Sequence, residues 1–189
     1  MSVIKMKPVR ERILDAATEH YYAEGIRAVS ADRLIAAAHV SKVTFYRHFP
    51  TKDDLVAAYL AVRSDDEKAA VLAKRDELAD DPAGVLAWYA DVVGLSSCSP
   101  GFRGCPFINA AAEIADEKHP GRVIISEHRA WLTLQIAELL DALGVQHTGT
   151  KARQLMMLRD GAMVSGYLGN APEQVSAALV TAGRSIIDR

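Results

Sequence analysis

VSKVTFYRHF, residues 40–49, places a lysine, a threonine, a tyrosine, an arginine and a histidine among apolar residues in ten consecutive positions. A helix turns by about 100° per residue, so Phe45 and Phe49 stack one above the other on a single side. That side is the one to bury. Val43 and Arg47 then project from the opposite side, with Thr44 and His48 on one flank and Lys42 and Tyr46 on the other. The stretch reads as a short helix anchored by two aromatic rings, whose outer surface offers hydrogen-bond donors and positive charge. Such a helix suits the major groove of double-stranded DNA: arginine can meet a guanine edge, while Lys, Thr and Tyr can bind phosphates at the groove walls.

The neighbouring residues frame this helix. Ser41 is a good N-cap, and Pro50 cannot continue the turn. Thr51 can cap a long fourth helix, with Asp54 three residues on in capping-box position and Leu55, Ala58, Tyr59 and Val62 continuing it. Upstream, Ser30 opens a helix carrying Leu34, Ile35 and Ala38 to a break near His39. The first helix is expected over 9–23, with Ile13, Leu14, Ala17 and Tyr21 along one side and Gly25 as its C-terminal breaker. Two short helices separated by a turn of about three residues make a helix-turn-helix.

Beyond this region apolar residues keep recurring at three- and four-residue spacings, with no β-type alternation. Helices are expected over 82–95, bearing Trp88 and Tyr89, then from Pro106 at a first helical position, over 122–143 ending at Gly144, over 154–168 and over 173–187. SSCSPGFRG, HPG and GNAP mark breaks. The fold class is all-α with about nine helices: residues 1–55 form a three-helix DNA-binding domain, joined by a long helix to a C-terminal helical domain over 56–189. Charge divides in the same sense. Residues 1–63 hold ten Lys/Arg against seven Asp/Glu, and residues 64–189 hold twelve against seventeen, so the net −2 conceals a basic front and an acidic rear with different partners. Half the residues are hydrophobic and a quarter charged, which fits a soluble helical protein and excludes a disordered chain. The start lacks a signal-peptide apolar run, and no segment approaches roughly 18 uncharged residues, so the expectation is a cytoplasmic protein without a membrane partner. Cys98 and Cys105 make no disulfide framework, and the six histidines show no metal-site spacing.

ILDAATEHYYAEGIRAVSADRLIAAAHVSKVTFYRHFPTKDDLVAAYL resembles the DNA-binding domain of the TetR (tetracycline-repressor-like) family of transcription regulators, over about residues 9–60 without a gap. The turn at Gly25, VS followed by T-F-Y-x-H-F, and the lysine and leucine of TKDDL carry the likeness. The resemblance implies that Thr44, Tyr46, His48 and Lys52 contact the DNA backbone or groove, while Lys42, Val43 and Arg47 lie where members vary and read bases. His39 departs from it, standing where the family usually has glycine. Histidine tolerates a left-handed backbone better than most residues, so the turn is expected to survive at a small strain cost.

RGCPFINAAAEIADEKHPGR, residues 103–122, is similar to a G-C-P-F-x-N-A-A-A-E segment found in one branch of these regulators. The family implies a homodimer, with the last two helices forming a four-helix interface through Leu155, Leu158, Met163, Tyr167, Val175, Leu179, Ala182 and Ile186; the same positions serve equally as intramolecular core. It also implies a cavity for a small-molecule effector, with Trp88, Tyr89, Phe107, Asn109, Trp131, Met156 and Arg159 as candidate lining. Asn109 and Arg159 are the informative members, because polar groups facing a cavity need partners that a ligand can supply. Cys105, just before Pro106, should sit at a helix N-terminus, where free amides favour a thiolate; a thiol-based sensor of oxidants or electrophiles is the alternative to a bound effector. No cofactor is implied. Enzyme signatures such as G-x-S-x-G, H-E-x-x-H, G-x-G-x-x-G after a strand and the P-loop are absent from the sequence.

Overall fold

Side-chain caps set several of the helix boundaries. In a computed structural model of the chain, which describes residues 7–169 and 174–188, the described residues form nine helices and no strand. These are α1 (Val9–Glu24), α2 (Ala31–Ala37), α3 (Lys42–His48), α4 (Lys52–Glu77), α5 (Pro82–Ser97), α6 (Pro106–Glu113), α7 (Pro120–Ala142), α8 (Thr148–Tyr167) and α9 (Val175–Ile187). Ser30 Oγ accepts from the Arg33 amide at 3.3 Å and Ser41 Oγ from the Thr44 amide at 3.1 Å. Thr51 and Asp54 exchange bonds, the Asp54 amide donating to Thr51 Oγ1 at 3.1 Å and the Thr51 amide to Asp54 Oδ2 at 3.0 Å, which is a capping box with aspartate as its acid. Asp81 caps α5, and its Pro82 occupies the first turn.

One described boundary departs from expectation by more than two residues. α8 begins at Thr148 instead of 154, because Gly144 at φ 72° ends α7 and His147 at φ 57° reverses the chain into a new helix whose first turns are polar and carry no apolar signal. The expected start of the last helix at 173, and most of the GNAP break, lie outside the described residues; α9 is seen from Val175.

Contacts group the chain into two compact units. One is the described part of Met1–Arg63 with Pro106–Ile125; the other is Ser64–Cys105 with the described part of Ser126–Arg189. The division between these units falls after Arg63, inside the continuous helix α4, where no linker composition marks it. The first unit also takes back α6 and the start of α7. Its buried side chains include Ile13, Leu14, Tyr21, Val29, Leu34, Phe45, Phe49, Leu55 and Tyr59, none more than 6% exposed, with Phe107 and Ala110 of α6 buried as well.

In the second unit α5, α8 and α9 pack on one another. α5 and α9 approach closely at Gly94, where an added Cβ would fall 2.4 Å from the Ser176 Cβ and 3.0 Å from its backbone, so only glycine fits. Leu132, Ile136 and Leu140 of α7 and Ala152 and Met156 of α8 form a buried cluster, with Trp131, Leu155 and Ile187 against it. A second apolar face runs along α8 to its C-cap Leu168: Met157, Val164 and Leu168 are 66%, 45% and 66% exposed and lie away from Ala152, Met156 and Met163. The positions expected from sequence to serve an interface or the intramolecular core divide unevenly. Met163, Val175 and Leu179 are buried within the chain, Leu155 lines its cavity, and of the expected set in α8 only Tyr167 is exposed. No described helix is long and apolar enough to cross a membrane.

Candidate functional site

The first unit presents α3. Phe45 and Phe49 are each 3% exposed and hold the helix, while Val43 is 80% and Tyr46 40% exposed. Lys42 and Arg47 are exposed; Thr44 and His48 are half-buried on one flank. Arg47 has no hydrogen bond or ion pair among the described residues, so its five donors are available. Lys42 Nζ lies 3.4 Å from Asp32, an exposed pair that a phosphate can displace. Thr44 is less free, since its Oγ1 accepts from the Ser41 hydroxyl at 2.9 Å. Lys52 is partly engaged: its Nζ donates to the Val29 carbonyl at 2.9 Å and lies 6.0 Å from the Tyr21 ring, leaving two N–H groups.

The turn before α3 is built on His39, at φ 53°. The His39 amide donates to the Ala36 carbonyl at 3.1 Å and the Val40 amide to the Ile35 carbonyl at 3.2 Å, the paired bonds of a Schellman helix end. Arg12 of α1 donates to the His39 carbonyl at 2.8 Å, tying the turn to the first helix. Gly25 ends α1 at φ 93°, and there α6 contributes a residue missed in the sequence. The Glu113 carboxylate accepts from the amides of Ile26 at 3.0 Å and Arg27 at 2.7 Å, while the Arg27 guanidinium donates to the Glu113 carbonyl at 2.7 Å. An added Cβ at Gly25 would sit 3.0 Å from that carboxylate. The glutamate closing NAAAE was the available signal; its partners, 86 and 87 positions away, were not.

The second unit holds a cavity of about 690 Å³ lined by α5, α7, α8, α9 and Val71 of α4. Among the candidate residues Trp88, Tyr89 and Arg159 line it. Met156 and Trp131 belong to the adjoining core cluster, and Phe107 and Asn109 belong to the first unit. Behind Tyr89 and Arg159 lies a polar cluster that includes residues the sequence did not single out. Tyr89 donates to Glu67 at 2.6 Å; Arg159 Nε reaches the Tyr89 oxygen at 3.3 Å, and its terminal nitrogens lie 3.7 Å from Glu67 and 3.3 Å from Asp160. His128 is 3.2 Å from Glu67 through Nε2 and 3.0 Å from Ser64 through Nδ1. Burial alone would raise the Glu67 carboxyl, but the His128 hydrogen bond, the Arg159 charge and the Tyr89 hydroxyl outweigh it and hold its pKa at about 2. Burial, countered in part by Arg159 and reinforced by Glu67, pushes the Tyr89 phenol up. Cys105 is 2% exposed and is not one of the residues that line the cavity.

Comparison with known proteins agrees with this geometry. The family model for bacterial regulatory proteins of the tetR family matches residues 13–59. The solved structure of SCO4454, a TetR-family transcriptional regulator from Streptomyces coelicolor, is 39% identical and superposes with a TM-score of 0.88 over 95% of this chain and 94% of that one. A putative TetR transcriptional regulator from Streptomyces avermitilis is 29% identical, with a TM-score of 0.83 over 96% and 97% of the two chains. Among curated proteins, the uncharacterized HTH-type transcriptional regulator YvkB of Bacillus subtilis is 31% identical over 93 residues, a match spanning 49% of this chain and 44% of that relative. With a helix-turn-helix between residues 30 and 49 and likeness to SCO4454 over nearly the whole of both chains, this chain belongs to the TetR family of DNA-binding transcriptional regulators.

Proposed function

We propose that the protein acts in the cytoplasm as a homodimeric repressor that holds a near-palindromic operator through two copies of α3 and leaves it when a small molecule fills the cavity of the second unit. The outer face of α3 carries the reading: two buried phenylalanines fix the helix while Val43 and Arg47 point outward, the Arg47 guanidinium with no partner among the described residues. Lys42, Val43 and Arg47 read base edges, and Thr44, Tyr46, His48 and Lys52 contact the backbone. Arg47→Ala should cost about 1–3 kcal/mol on the operator and relax preference at one base pair in each half-site. Equal losses on operator and random DNA would show that Arg47 only positions the protein. The operator itself comes from sequencing fragments selected by the purified protein.

The exposed stripe of Met157, Val164 and Leu168 supports a dimer through α8, since a lone chain has no use for a second apolar face. The cavity supports effector control. Emptying an operator from 99:1 to 1:99 requires a ligand to favour the released form by about 5.5 kcal/mol. RGCPFINAAAE supports the branch of the family in which that segment recurs. Control through Cys105 is the second reading, favoured by its place immediately before Pro106 at the start of α6. Cys105→Ser should then abolish release by electrophiles with basal DNA binding unchanged. A parent protein indifferent to electrophiles would dismiss it.

A further inference from the structure

The cavity of the second unit is polar at two ends and apolar between them. Lys151, Leu155 and Arg159 line it at successive i, i+4 positions of α8, so its length along that helix is about 12 Å. Tyr89 and Arg159 close the inner end. The other end lies at the C-terminus of α9 and the loop after α7, where Gln146, Arg184 and Asp188 are exposed. Leu155, Ile136, Leu139 and Leu179 form the walls between.

Charge differs between the two ends. Four lining residues are charged: Lys151, Arg159, Arg184 and Asp188. Arg159 is matched by Glu67 and Asp160, and the Tyr89 hydroxyl is bonded to Glu67 and Arg159, so the inner end offers a ligand no surplus charge. At the outer end two cations face one carboxylate. Lys151 Nζ donates to the carbonyl of Ile187 at 2.9 Å, offsetting the negative end of α9. The Arg184 guanidinium has no hydrogen bond or ion pair among the described residues. An apolar channel with a neutralised floor and an unmatched guanidinium at its mouth selects for one ligand chemistry.

Taking the cavity as the effector site, we propose that it binds an amphipathic monoanion, a hydrocarbon body lying along Leu155 towards Tyr89 and a terminal carboxylate at Arg184 and Lys151. Burial of the hydrocarbon supplies most of the affinity, and the mouth decides the class. The test titrates the full chain with dodecanoate, dodecanol and dodecyltrimethylammonium below their micelle concentrations, reading Trp fluorescence and heat of binding. Dodecanoate should bind about five-fold more tightly than dodecanol, as a solvent-exposed ion pair allows, with the advantage shrinking as salt is added. The cation should bind most weakly. Arg184→Gln should erase most of the dodecanoate advantage and leave dodecanol affinity unchanged; Lys151→Gln with Arg184→Gln should erase the rest, with the melting temperature recorded for both variants. Dodecanol binding as tightly as dodecanoate to the parent protein, an advantage that survives both substitutions, or no binding of any probe would each overturn the proposal. Operator release measured beside binding separates the two readings. Dodecanoate that binds without releasing DNA leaves the ligand class standing and overturns effector control, whereas release by dodecanol at equal concentration overturns the class and leaves effector control intact.

Discussion

Lys52 holds a structural bond and, in the proposed function, a DNA phosphate as well. Its ammonium carries three donors, one of which holds the Val29 carbonyl at the approach to α2. Lys52→Ala should therefore weaken binding by a similar factor on every DNA sequence and lower the salt slope by about one, while also lowering the melting temperature of the free protein. A salt slope unchanged by the substitution would assign Lys52 to the fold alone. Glu67 is the corresponding residue of the second unit. Its folded pKa near 2 is depressed from the ordinary 4.5, so the stability it contributes is present above pH 4.5 and is lost as pH falls from there towards 2. The loss is of the order of 3 kcal/mol. Melting temperature plotted against pH should fall less steeply across that window in Glu67→Gln than in the parent, and parallel curves would remove Glu67 from the account.

At the scale of elements, α2 and α7 end in the same way. His39 and Gly144 each stand two places beyond the helix in the left-handed region, followed by an amide that reaches back to Ile35 and to Leu140 respectively. Glycine takes this conformation without a Cβ penalty, and histidine does not. His39→Gly should raise stability by up to about 1 kcal/mol, since relief of the left-handed backbone is offset in part by the freer unfolded chain. A melting temperature that falls would show the imidazole contributing a contact that outweighs the strain. This turn was legible in the sequence because its signals are local: a serine cap, a break, two phenylalanines four apart. The start of α8 was not, because Thr148–Arg153 is a polar helical turn with no apolar residue to set a phase other than Ala152. The outward face of α8 was missed for a related reason. A helix apolar on two sides has no single direction, and the count of apolar residues could not say that Met163 was inside and Met157 outside.

At the scale of the molecule, the long-range ties were the least legible. Glu113 joins α6 to the residues just after α1, and His119 meets Asp53 at 3.2 Å, so part of the middle of the chain belongs to the first unit. No spacing rule relates residues so far apart. The proposed homodimer uses the stripe of Met157, Val164 and Leu168, which are 66%, 45% and 66% exposed. Burying that face against its own copy gives a two-fold arrangement, and a two-fold protein calls for an operator whose half-sites repeat about 34–36 Å apart, one turn of DNA. Met157→Glu places a carboxylate in the middle of the buried patch, where it meets its symmetry mate. Desolvation and like-charge repulsion should then convert the dimer to a monomer in sedimentation without lowering the melting temperature of the chain itself. The monomer should keep its preference for a half-site and lose the added affinity of the full operator, since linkage of two weak sites is what the dimer supplies. A Met157→Glu protein that stays dimeric would place the interface elsewhere, and one that binds the full operator as tightly as its parent while monomeric would remove the palindrome from the account.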